Sequence, residues 1–562
     1  RGGGPRRPLP PMPISSALLV LLAAASLLLT ARLVWLQVVD GPRLAAAAQS
    51  QRTNVIAVHP RRGTIFDRNG NVLARSEECT TVYADPSLVK DDARVAAILS
   101  ECLGGDAAAY EATLSQDARF AYVRRRVDDE AAERLRQRLA EERLGGIYYV
   151  EDSRRVYPYG NVGAQVLGFV GDEGRGLSGI ELQYDDELSG TDGELVMETS
   201  PDGTPIAGST ARLSDPVPGQ DLVLSVDVEL QQACEQIVQD SVGRYDAESG
   251  SIMVCDPRNG EVLAACSTPL PDFSNLEDPS ALNLRLVSDS FEPGSVFKVI
   301  TTAMGMEMGL FGPDSSYNVP ASIQVGDDKV TDDEPRSTAA DMTVREMMRR
   351  SSNVGMALLV QDVIGQDRFS EWVDRFGIGH LTGIDYPGES AGIVKPLEQY
   401  DGSTAGSMSF GQGLAIPMVQ VVRAYGAIAN DGVPATPHFL IARDGQDVSW
   451  PLGEPVVSKQ TADEETDVMR TVIQRGTGRF GAIEGYDIAG KTGTGEQASV
   501  DGGYEEGRYV ASLCGFVNAD DPQLLVYAGL NGLPHLASQT AAHVFHDVMQ
   551  KSIEIVGVRP VS

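Results

Sequence analysis

The chain contains few of the side chains from which metal sites and disulfide frameworks are built. It has six cysteines and six histidines in 562 residues, and no CxxC pair occurs among the cysteines at positions 79, 102, 234, 255, 266 and 514. This scattering predicts neither a zinc site nor a disulfide scaffold, although a single bridge stays open. His543 and His546 lie three residues apart on a predicted helix, but without an HExxH pattern we expect ordinary packing there.

The chain is also short of positive charge. Lys and Arg number 46 against 79 Asp and Glu, which gives a net charge of −33 and a pI near 4.5. A nucleic-acid partner would require a basic face to neutralise phosphates, so this balance argues against one. The exception is the segment 1–62, which is net +7 while the remaining 500 residues carry −40. Such an asymmetry indicates a change of compartment between the two parts.

Long apolar runs are lacking except for one near the N-terminus. Residues 14–30 contain no charge, and the apolar character continues past Arg32 to Val39. About 20 apolar residues span a bilayer as a helix, so this run predicts a transmembrane anchor at 14–39. A cleaved signal peptide, favoured by three consecutive alanines at 23–25, is the alternative, but its apolar region would be shorter. Arginines ahead of the span predict a cytoplasmic tail at 1–13 and a single-pass cell-membrane protein whose remainder lies outside the cytoplasm.

The part after the anchor divides into two predicted domains. Residues 50–220 alternate strand-like stretches with Gly- and Pro-rich turns, which predicts a β-rich domain with a charged helix at 128–144. From about residue 225 the pattern changes to a helix at Val228–Gln239, followed by two strands around a hairpin turn at Pro257–Gly260. A last helix is predicted near 537–552. We therefore expect an α+β protein with a second domain at 225–556.

A serine followed three residues later by a lysine forms the first candidate motif. Ser295 and Lys298 lie in EPGSVFK, which runs into an apolar helix predicted at Val299–Met308. The three-residue step places both side chains on one helix face, and a helix N-terminus favours negative charge. A serine hydroxyl needs a base within hydrogen-bond reach, and a desolvated lysine can be that base. Ser87 and Lys90 match the same common pattern, but there the chain runs into two aspartates.

A hydroxyl and an amide two residues apart form the second candidate motif. Ser351 and Asn353 follow a predicted helix at 343–350. Side chains of these types on one loop can relay a proton to a leaving nitrogen and hold a substrate amide. Ser316 and Asn318 show the same spacing without a preceding helix, so the pattern alone is not informative.

A lysine between small residues forms the third candidate motif, AGKTGTG, at 489–495. Alternating glycines such as Gly493 allow another backbone to approach, as an edge strand that docks a peptide requires. Lys491 would supply a fixed positive charge for a carboxylate, and Thr492 and Thr494 would supply hydroxyls. The stretch 509–517 predicts a partner strand. A phosphate-binding loop is the alternative, but GxxxxGK[ST] does not occur here.

The order and spacing of the three motifs are more specific than any one of them. SxN follows SxxK by 56 residues, and KTG follows SxN by 140, which is the arrangement of penicillin-binding proteins and serine β-lactamases. With these motifs the chain resembles class B penicillin-binding proteins of the division-associated type. SSNVG at 351–355 is closer to septal than to elongation enzymes. Further similar segments are LQVVDG at 36–41, RGTIFDRNG at 62–70, YP at 157–158 with Gly160, LG at 167–168, GIE at 179–181, and FGQG at 410–413 with Pro417.

The resemblance implies a penicillin-binding, serine β-lactamase-like transpeptidase domain with a central antiparallel sheet, on a non-catalytic, dimerisation-type pedestal. By that likeness Ser295 attacks the penultimate D-Ala carbonyl of a stem pentapeptide, Lys298 is the base, Ser351 relays a proton and Asn353 binds a substrate amide. Lys491 and Thr492 would bind the terminal carboxylate. The backbone N–H groups of Ser295 and Thr494 would form the oxyanion hole. β-Lactams would acylate the same serine, and neither a metal nor an organic cofactor is expected.

Other functions stay open at this point. A β-lactamase of class A would need a glutamate that activates water, and no ExxxN occurs between the second and third motifs. A D,D-carboxypeptidase differs only in the acceptor. A β-lactam sensor or a scaffold would be non-enzymatic, but a scaffold would be expected to have lost one of the motif residues. Likeness to the family further implies contact with a SEDS-type glycosyltransferase and with divisome proteins.

Overall fold

A computed structural model describes residues 14–41, 43, 53–58, 60–198, 211–273, 275, 278–498, 504–535 and 538–561. The described residues belong to two compact units. One is drawn from residues 1–60 and 191–217, the other from residues 61–190 and 218–562. All six cysteines are free thiols.

The strands and helices are numbered in chain order. The strands are β1 Thr53–Val58, β2 Ile65–Phe66, β3 Val72–Ala84, β4 Ala121–Val127, β5 Ile147–Val156, β6 Gly193–Glu198, β7 Ala211–Ser214, β8 Leu222–Leu224, β9 Ser249–Cys255, β10 Val262–Ser267, β11 Ser316–Val319, β12 Ser322–Val325, β13 Asp328–Thr331, β14 Ala340–Thr343, β15 Leu440–Arg443, β16 Gln446–Asp447, β17 Ile488–Ala498, β18 Tyr504–Val517 and β19 Leu524–Leu533. The α-helices are α1 Ile14–Val34, α2 Asp92–Leu103, α3 Ala107–Leu114, α4 Asp129–Glu141, α5 Ala164–Leu167, α6 Gly179–Gln183, α7 Asp185–Ser189, α8 Val228–Tyr245, α9 Arg285–Ser288, α10 Lys298–Glu307, α11 Val344–Arg350, α12 Asn353–Leu358, α13 Gln366–Arg375, α14 Thr404–Met408, α15 Met418–Ala429, α16 Lys459–Arg475 and α17 Ser538–Val556.

The first unit contains the apolar helix and a small sheet. Helix α1 continues as a π-helical turn at Trp35–Val39, and Leu18–Val39 is long and apolar enough to cross a membrane. This is the one such helix among the described residues. The predicted apolar helix is therefore present. In the same unit β1, β6 and β7 form an antiparallel sheet in the order β1-β6-β7.

Residues 61–190 of the second unit contain a sheet covered by helices on one face. β3 pairs with both β4 and β5, and α2, α3 and α4 pack against this sheet around Val95, Leu99, Leu135 and Leu139. The sequence predicted short helical pieces here and located one of the helices, at 128–144. The other two begin where aspartate side chains cap backbone N–H groups, Asp91 for α2 and Asp106 for α3.

A buried ion network holds the segment 62–70 against α6. Glu181, fully buried, accepts from Arg62 Nε at 2.7 Å and from Arg155 Nε at 2.6 Å. Arg62 Nη1 also donates to Asp185 at 2.6 Å, and Arg155 Nη1 donates to the Gly63 carbonyl at 2.7 Å. The network joins two segments that lie far apart in sequence. Removing one of its members would leave a buried charge without a partner, which is strongly destabilising.

The same sheet that contains β3, seven-stranded when β5 is included, extends across the two predicted domains. Its order is β16-β15-β8-β2-β3-β4, so β15, which lies after α15, pairs with β8, and β8 pairs in parallel with β2. The hydrophobic core is continuous across the same region. It runs from Ile65 and Ile180 to Phe297 and Met347.

The central sheet of the larger predicted domain is antiparallel, in the order β10-β9-β19-β18-β17. The predicted hairpin turn lies between β9 and β10, where the left-handed Gly260 donates its N–H to Asp256 O. Helices α8 and α17 cover one face through side chains such as Leu230, Val238 and Phe545. Helix α8 is longer than predicted and ends at Asp246, which adopts a left-handed C-cap.

Candidate active site

Ser295 lies at the start of a helical segment in a tight 3₁₀ turn, Gly294–Phe297, that leads into α10. Gly294 has φ of +60°, and its N–H donates to the Gly411 carbonyl at 3.0 Å. The Tyr425 hydroxyl donates to the Val296 carbonyl at 2.8 Å. These contacts from the FGQG loop and from α15 position the turn, and Ser295 is only 3% exposed.

Lys298 is fully buried, and its ammonium group contacts the second motif. Nζ donates to Ser351 O at 2.7 Å, to Ser351 Oγ at 3.1 Å and to Asn353 Oδ1 at 2.7 Å. Burial lowers the pKa of Lys298 to about 7, while the nearby Asp333 and Asp332 oppose that shift. A neutral amine is therefore populated near physiological pH, which is what a general base requires.

Ser351 is shared between two lysines. It ends α11 in a left-handed conformation, with φ of +60°, and its side chain lies between the first and third motifs. Its Oγ accepts from Lys298 and also from Lys491 Nζ at 2.9 Å. Ser352 Oγ caps α12 by accepting the Gly355 N–H, which orients the loop.

The third motif forms the edge strand β17, paired along its length with β18. Lys491 is fully buried, and its Nζ also donates to the Thr492 carbonyl at 2.7 Å. Burial, together with the charge of Lys298, holds the pKa of Lys491 well below its ordinary value. The Thr492 hydroxyl lies 2.5 Å from that of Thr477. The predicted hairpin context of KTG is present in the structure.

Gly493 and Thr494 pass directly beside the Ser295 turn. A Cβ on Gly493 would lie 2.4 Å from Ser512 Oγ and 3.3 Å from Pro293 O, so a side chain there would displace the Ser512 hydroxyl. A Cβ on Gly294 would lie 3.5 Å from the Thr494 carbonyl, which places the two backbones side by side. The Thr494 hydroxyl donates to Asp333 Oδ2 at 3.2 Å.

The fold brings the predicted site residues together and keeps the other SxxK sequence, at Ser87, apart from them. Lys298, Ser351, Asn353 and Lys491 form one hydrogen-bonded group. Ser87 is exposed and bonded to Asp85, next to the helices of residues 61–190. In the part of the chain that the structure describes, no group of three or more His, Cys, Asp or Glu side chains could hold a metal.

Sequence reasoning missed several residues around the site. Asp332 accepts from Ser352 Oγ at 2.8 Å, and Asp333 contacts Asn353 and Thr494. In the sequence Asp332 and Asp333 belong to a short acidic run, TDDE, about 20 residues before Asn353, and such a run does not distinguish them from other surface acids. Thr477 lies between two glycines, a pattern that could have drawn attention to it. The sequence around Tyr425 is apolar and indicates only a core residue. Its contact with the Ser295 turn is visible only in the fold.

Comparison with known proteins assigns the domains to a family. Residues 250–550 match the penicillin binding protein transpeptidase domain, and residues 57–224 match the penicillin-binding protein dimerisation domain. The chain belongs to the class B penicillin-binding proteins. All three motifs lie within the matched transpeptidase domain, which is of the serine acyltransferase type. The predicted family and the predicted α+β fold with a central antiparallel sheet are confirmed.

Relatives of the class B type match over most of their length. PbpB of Mycobacterium tuberculosis is 33% identical over 95% of this chain and 83% of its own. The peptidoglycan D,D-transpeptidase FtsI of Escherichia coli is 28% identical over 96% of this chain and 91% of its own. A crystal structure from Atopobium parvulum, named as a candidate peptidoglycan glycosyltransferase, is 44% identical, with a TM-score of 0.72 over 90% of this chain and 100% of its own.

Proposed function

We propose that this protein is a peptidoglycan D,D-transpeptidase that cross-links stem peptides through an acyl-enzyme on Ser295. The observation that carries the proposal is the position of Ser351 Oγ, which accepts hydrogen bonds from two buried lysines, Lys298 and Lys491. Family membership supports the same activity, because FtsI of Escherichia coli, which is similar over 96% of this chain, is named a peptidoglycan D,D-transpeptidase.

In the first half-reaction Ser295 Oγ attacks the carbonyl of the penultimate D-Ala. The hydroxyl proton moves to Lys298 Nζ, whose pKa of about 7 leaves it neutral enough to accept one. The C–O bond forms, and the peptide C–N bond breaks as the tetrahedral intermediate collapses. The departing D-Ala nitrogen receives a proton through Ser351 Oγ, which lies between the two lysines.

In the second half-reaction the acyl group passes to an amine of another stem peptide. The amine attacks the ester carbonyl, gives up a proton along the same route, and Ser295 Oγ leaves with a proton from Lys298. Asn353 is held by Lys298 through Oδ1, and its Nδ2, which lies 3.4 Å from Thr331 O and 3.5 Å from Asp333 Oδ1, is the donor to a substrate amide. β-Lactams acylate Ser295 by the same attack, with the ring C–N bond as the one that breaks.

The carboxylate of the donor is bound on β17. Lys491 Nζ donates to Ser351 Oγ and to the Thr492 carbonyl, and Thr492 and Thr494 supply hydroxyl donors beside it. The backbone N–H groups of Ser295 and Thr494 form the oxyanion hole, a role supported by the close approach of β17 to the Ser295 turn. Gly493 permits that approach.

The proposal extends to the cellular context. Residues 1–13 form a cytoplasmic tail and residues 14–39 a transmembrane anchor, so that the pedestal at 50–220 and the transpeptidase domain at 225–556 act outside the membrane on the septal wall. The apolar helix at Leu18–Val39 and the basic N-terminal segment support this orientation. A SEDS-type glycosyltransferase and divisome proteins are the partners, contacted through the anchor and pedestal.

The acylation claim is tested by labelling the detergent-solubilised full chain with a fluorescent penicillin. We expect the wild type to be labelled with slow reversal, and Ser295→Ala to show no label. The matched control is Ser87→Ala, from the other SxxK sequence, which is expected to label like the wild type. Label that persists in Ser295→Ala would overturn the assignment, and rapid release of the label would indicate a β-lactamase.

A further inference from the structure

The loop after β13 places a carboxylate across the mouth of the site. Asp333 Oδ2 accepts from the Thr494 hydroxyl at 3.2 Å, and Oδ1 lies 3.5 Å from Asn353 Nδ2. Asp333 thus contacts one donor on each of two elements, the strand β17 and the start of α12. Both donors are ones that the proposed mechanism assigns to the substrate.

The neighbouring residue holds the loop in place. Asp332 Oδ1 accepts from Ser352 Oγ at 2.8 Å and from the Val354 N–H at 3.0 Å. Its Oδ2 pairs with Arg336 at 3.1 Å, and Arg336 in turn donates to the Pro320 carbonyl at 2.8 Å. Both carboxylate oxygens of Asp332 are therefore engaged, by Ser352, Val354 and Arg336. Asp333 is exposed and points to the cleft.

We propose that Asp333 imitates the terminal carboxylate of the donor in the free enzyme, and that a carboxylate-bearing ligand must displace it from Thr494. The inference rests on the proposed function, since it requires Thr494 and Asn353 to be ligands of the donor. Asp333 is then a specificity-determining residue. It accepts from the Thr494 and Asn353 donors and competes with every anionic ligand that enters.

The competition has a defined effect on affinity. In part of the protein molecules Asp333 occupies the Thr494 hydroxyl, and these molecules are not competent to bind the carboxylate of the ligand. The apparent dissociation constant of the ligand rises as the fraction of competent molecules falls. An asparagine at 333 keeps the size and removes the charge, so its bond to Thr494 is weaker than that of a carboxylate. The effect belongs to the binding step, because Asp333 has left the subsite before Ser295 attacks.

A second route by which Asp333 could influence the rate gives a different result. Its charge favours the protonated forms of both Lys298 and Lys491. If Asp333 acted through these lysines, its removal would shift the pH profile of the chemical step and leave the binding constant unchanged. The two routes are therefore separated by measuring binding and chemistry independently.

The test is stopped-flow acylation of the detergent-solubilised full chain by a fluorescent penicillin, which keeps its carboxylate, over a range of concentrations. For Asp333→Asn we expect an apparent dissociation constant about fivefold lower and an unchanged limiting acylation rate at pH 8, where Lys298 is largely neutral. Asp328→Asn, an exposed acid at the far end of the same hairpin, is the matched control and should match the wild type. In a Thr494→Val background Asp333→Asn should lower the apparent dissociation constant by a smaller factor, because the hydroxyl for which Asp333 and the ligand compete is absent.

Three results would overturn the inference. They are an unchanged dissociation constant in Asp333→Asn, an equal gain in Asp328→Asn, and a gain confined to the limiting rate with a shifted pH profile. In each of them the wild type is still acylated, so the proposed function survives. A wild type that is not acylated at all would instead refute the proposed function, and this inference with it.

Discussion

At the residue scale, the site depends on removing two lysines from water. Lys298 and Lys491 are fully buried, and both contact Ser351 Oγ. Burial disfavours the charged form, so each lysine has a lowered pKa, and the charge of Lys298 lowers the pKa of Lys491 further. The sequence showed that Lys298 lies on the same helix face as Ser295. It could not show the burial, which comes from side chains on elements far apart along the chain.

Acylation by penicillin should depend on pH through Lys298. Its pKa is lowered to about 7, so the neutral base predominates above that pH and is lost below it. We expect the second-order acylation rate to rise about tenfold per pH unit below 7 and to level off above. The measurement is the rate of fluorescent-penicillin labelling from pH 5.5 to 8.5.

Lys298→Arg should abolish this dependence, because an arginine stays protonated over the whole range. We expect the acylation rate to fall by about 10²–10⁴-fold. The control is Lys90→Arg, at the exposed SxxK sequence, which should behave like the wild type. A Lys298→Arg variant with a wild-type rate and pH profile would remove Lys298 from the role of base.

At the element scale, the nucleophile turn is built by close backbone contact. The FGQG loop passes so near to the turn that a Cβ on Gly411 would lie 2.0 Å from the Gly294 carbonyl oxygen. The sequence predicted the apolar helix after Ser295 and the strand that carries KTG, since both rest on local periodicity. It could not predict this contact, or the acidic loop at Asp332 and Asp333, because these contacts join segments that no local pattern relates.

Gly411→Ala should damage both stability and acylation. Gly411 has φ of +86° and no room for a side chain, so an alanine there is strained and displaces the Gly294 backbone. We expect a loss of about 3 kcal/mol or more in the free energy of unfolding, together with slower labelling. Thermal unfolding of the full chain and penicillin labelling measure the two effects.

The control for this change is Gly445→Ala, in the turn between β15 and β16. Gly445 has φ of +73° but no atom within 4 Å of a Cβ, so it reports the cost of the left-handed backbone alone. That cost is about 1–2 kcal/mol. Equal losses at the two positions would mean that the contact between Gly411 and Gly294 contributes nothing.

At the scale of the whole molecule, the two predicted domains share a sheet, a core and buried hydrogen bonds. Tyr184, in residues 61–190, donates its hydroxyl to Asp385 Oδ2 at 2.8 Å. Asp385 also accepts the N–H groups of Phe439 and Leu440, at 2.7 and 2.8 Å. The sequence predicted the division into domains from the change of pattern near residue 225. It could not show that β15 pairs with β8, since strand pairing over more than 200 residues leaves no local pattern.

Tyr184→Phe should destabilise the protein more at pH 8 than at pH 5. Burial raises the pKa of Asp385 to about 6, and the Tyr184 hydroxyl opposes that rise. The pKa of Asp385 is higher in the folded than in the unfolded protein, so the free energy of unfolding falls as the pH rises towards the folded pKa. Without the Tyr184 hydroxyl the folded pKa of Asp385 is higher still, so in the variant this fall continues to higher pH. We expect a loss of about 1–3 kcal/mol at pH 8 and a smaller loss at pH 5.

The measurement is thermal unfolding of the full chain at both pH values. Tyr159→Phe, at an exposed tyrosine, is the control and should leave the unfolding temperature unchanged at both. A loss in Tyr184→Phe that is the same at pH 5 and pH 8 would show that the ionisation of Asp385 does not depend on this bond.

The central claim is that the acyl group on Ser295 passes to an amine. The most direct measurement is to give the full chain an N-acylated peptide ending in D-Ala-D-Ala together with a D-amino acid as acceptor, and to separate the transfer product from the free acid by mass. We expect the transfer product to predominate at saturating amine, and Ser295→Ala to form neither product. Consumption of the donor to the free acid alone, whatever the amine concentration, would contradict it and identify a D,D-carboxypeptidase.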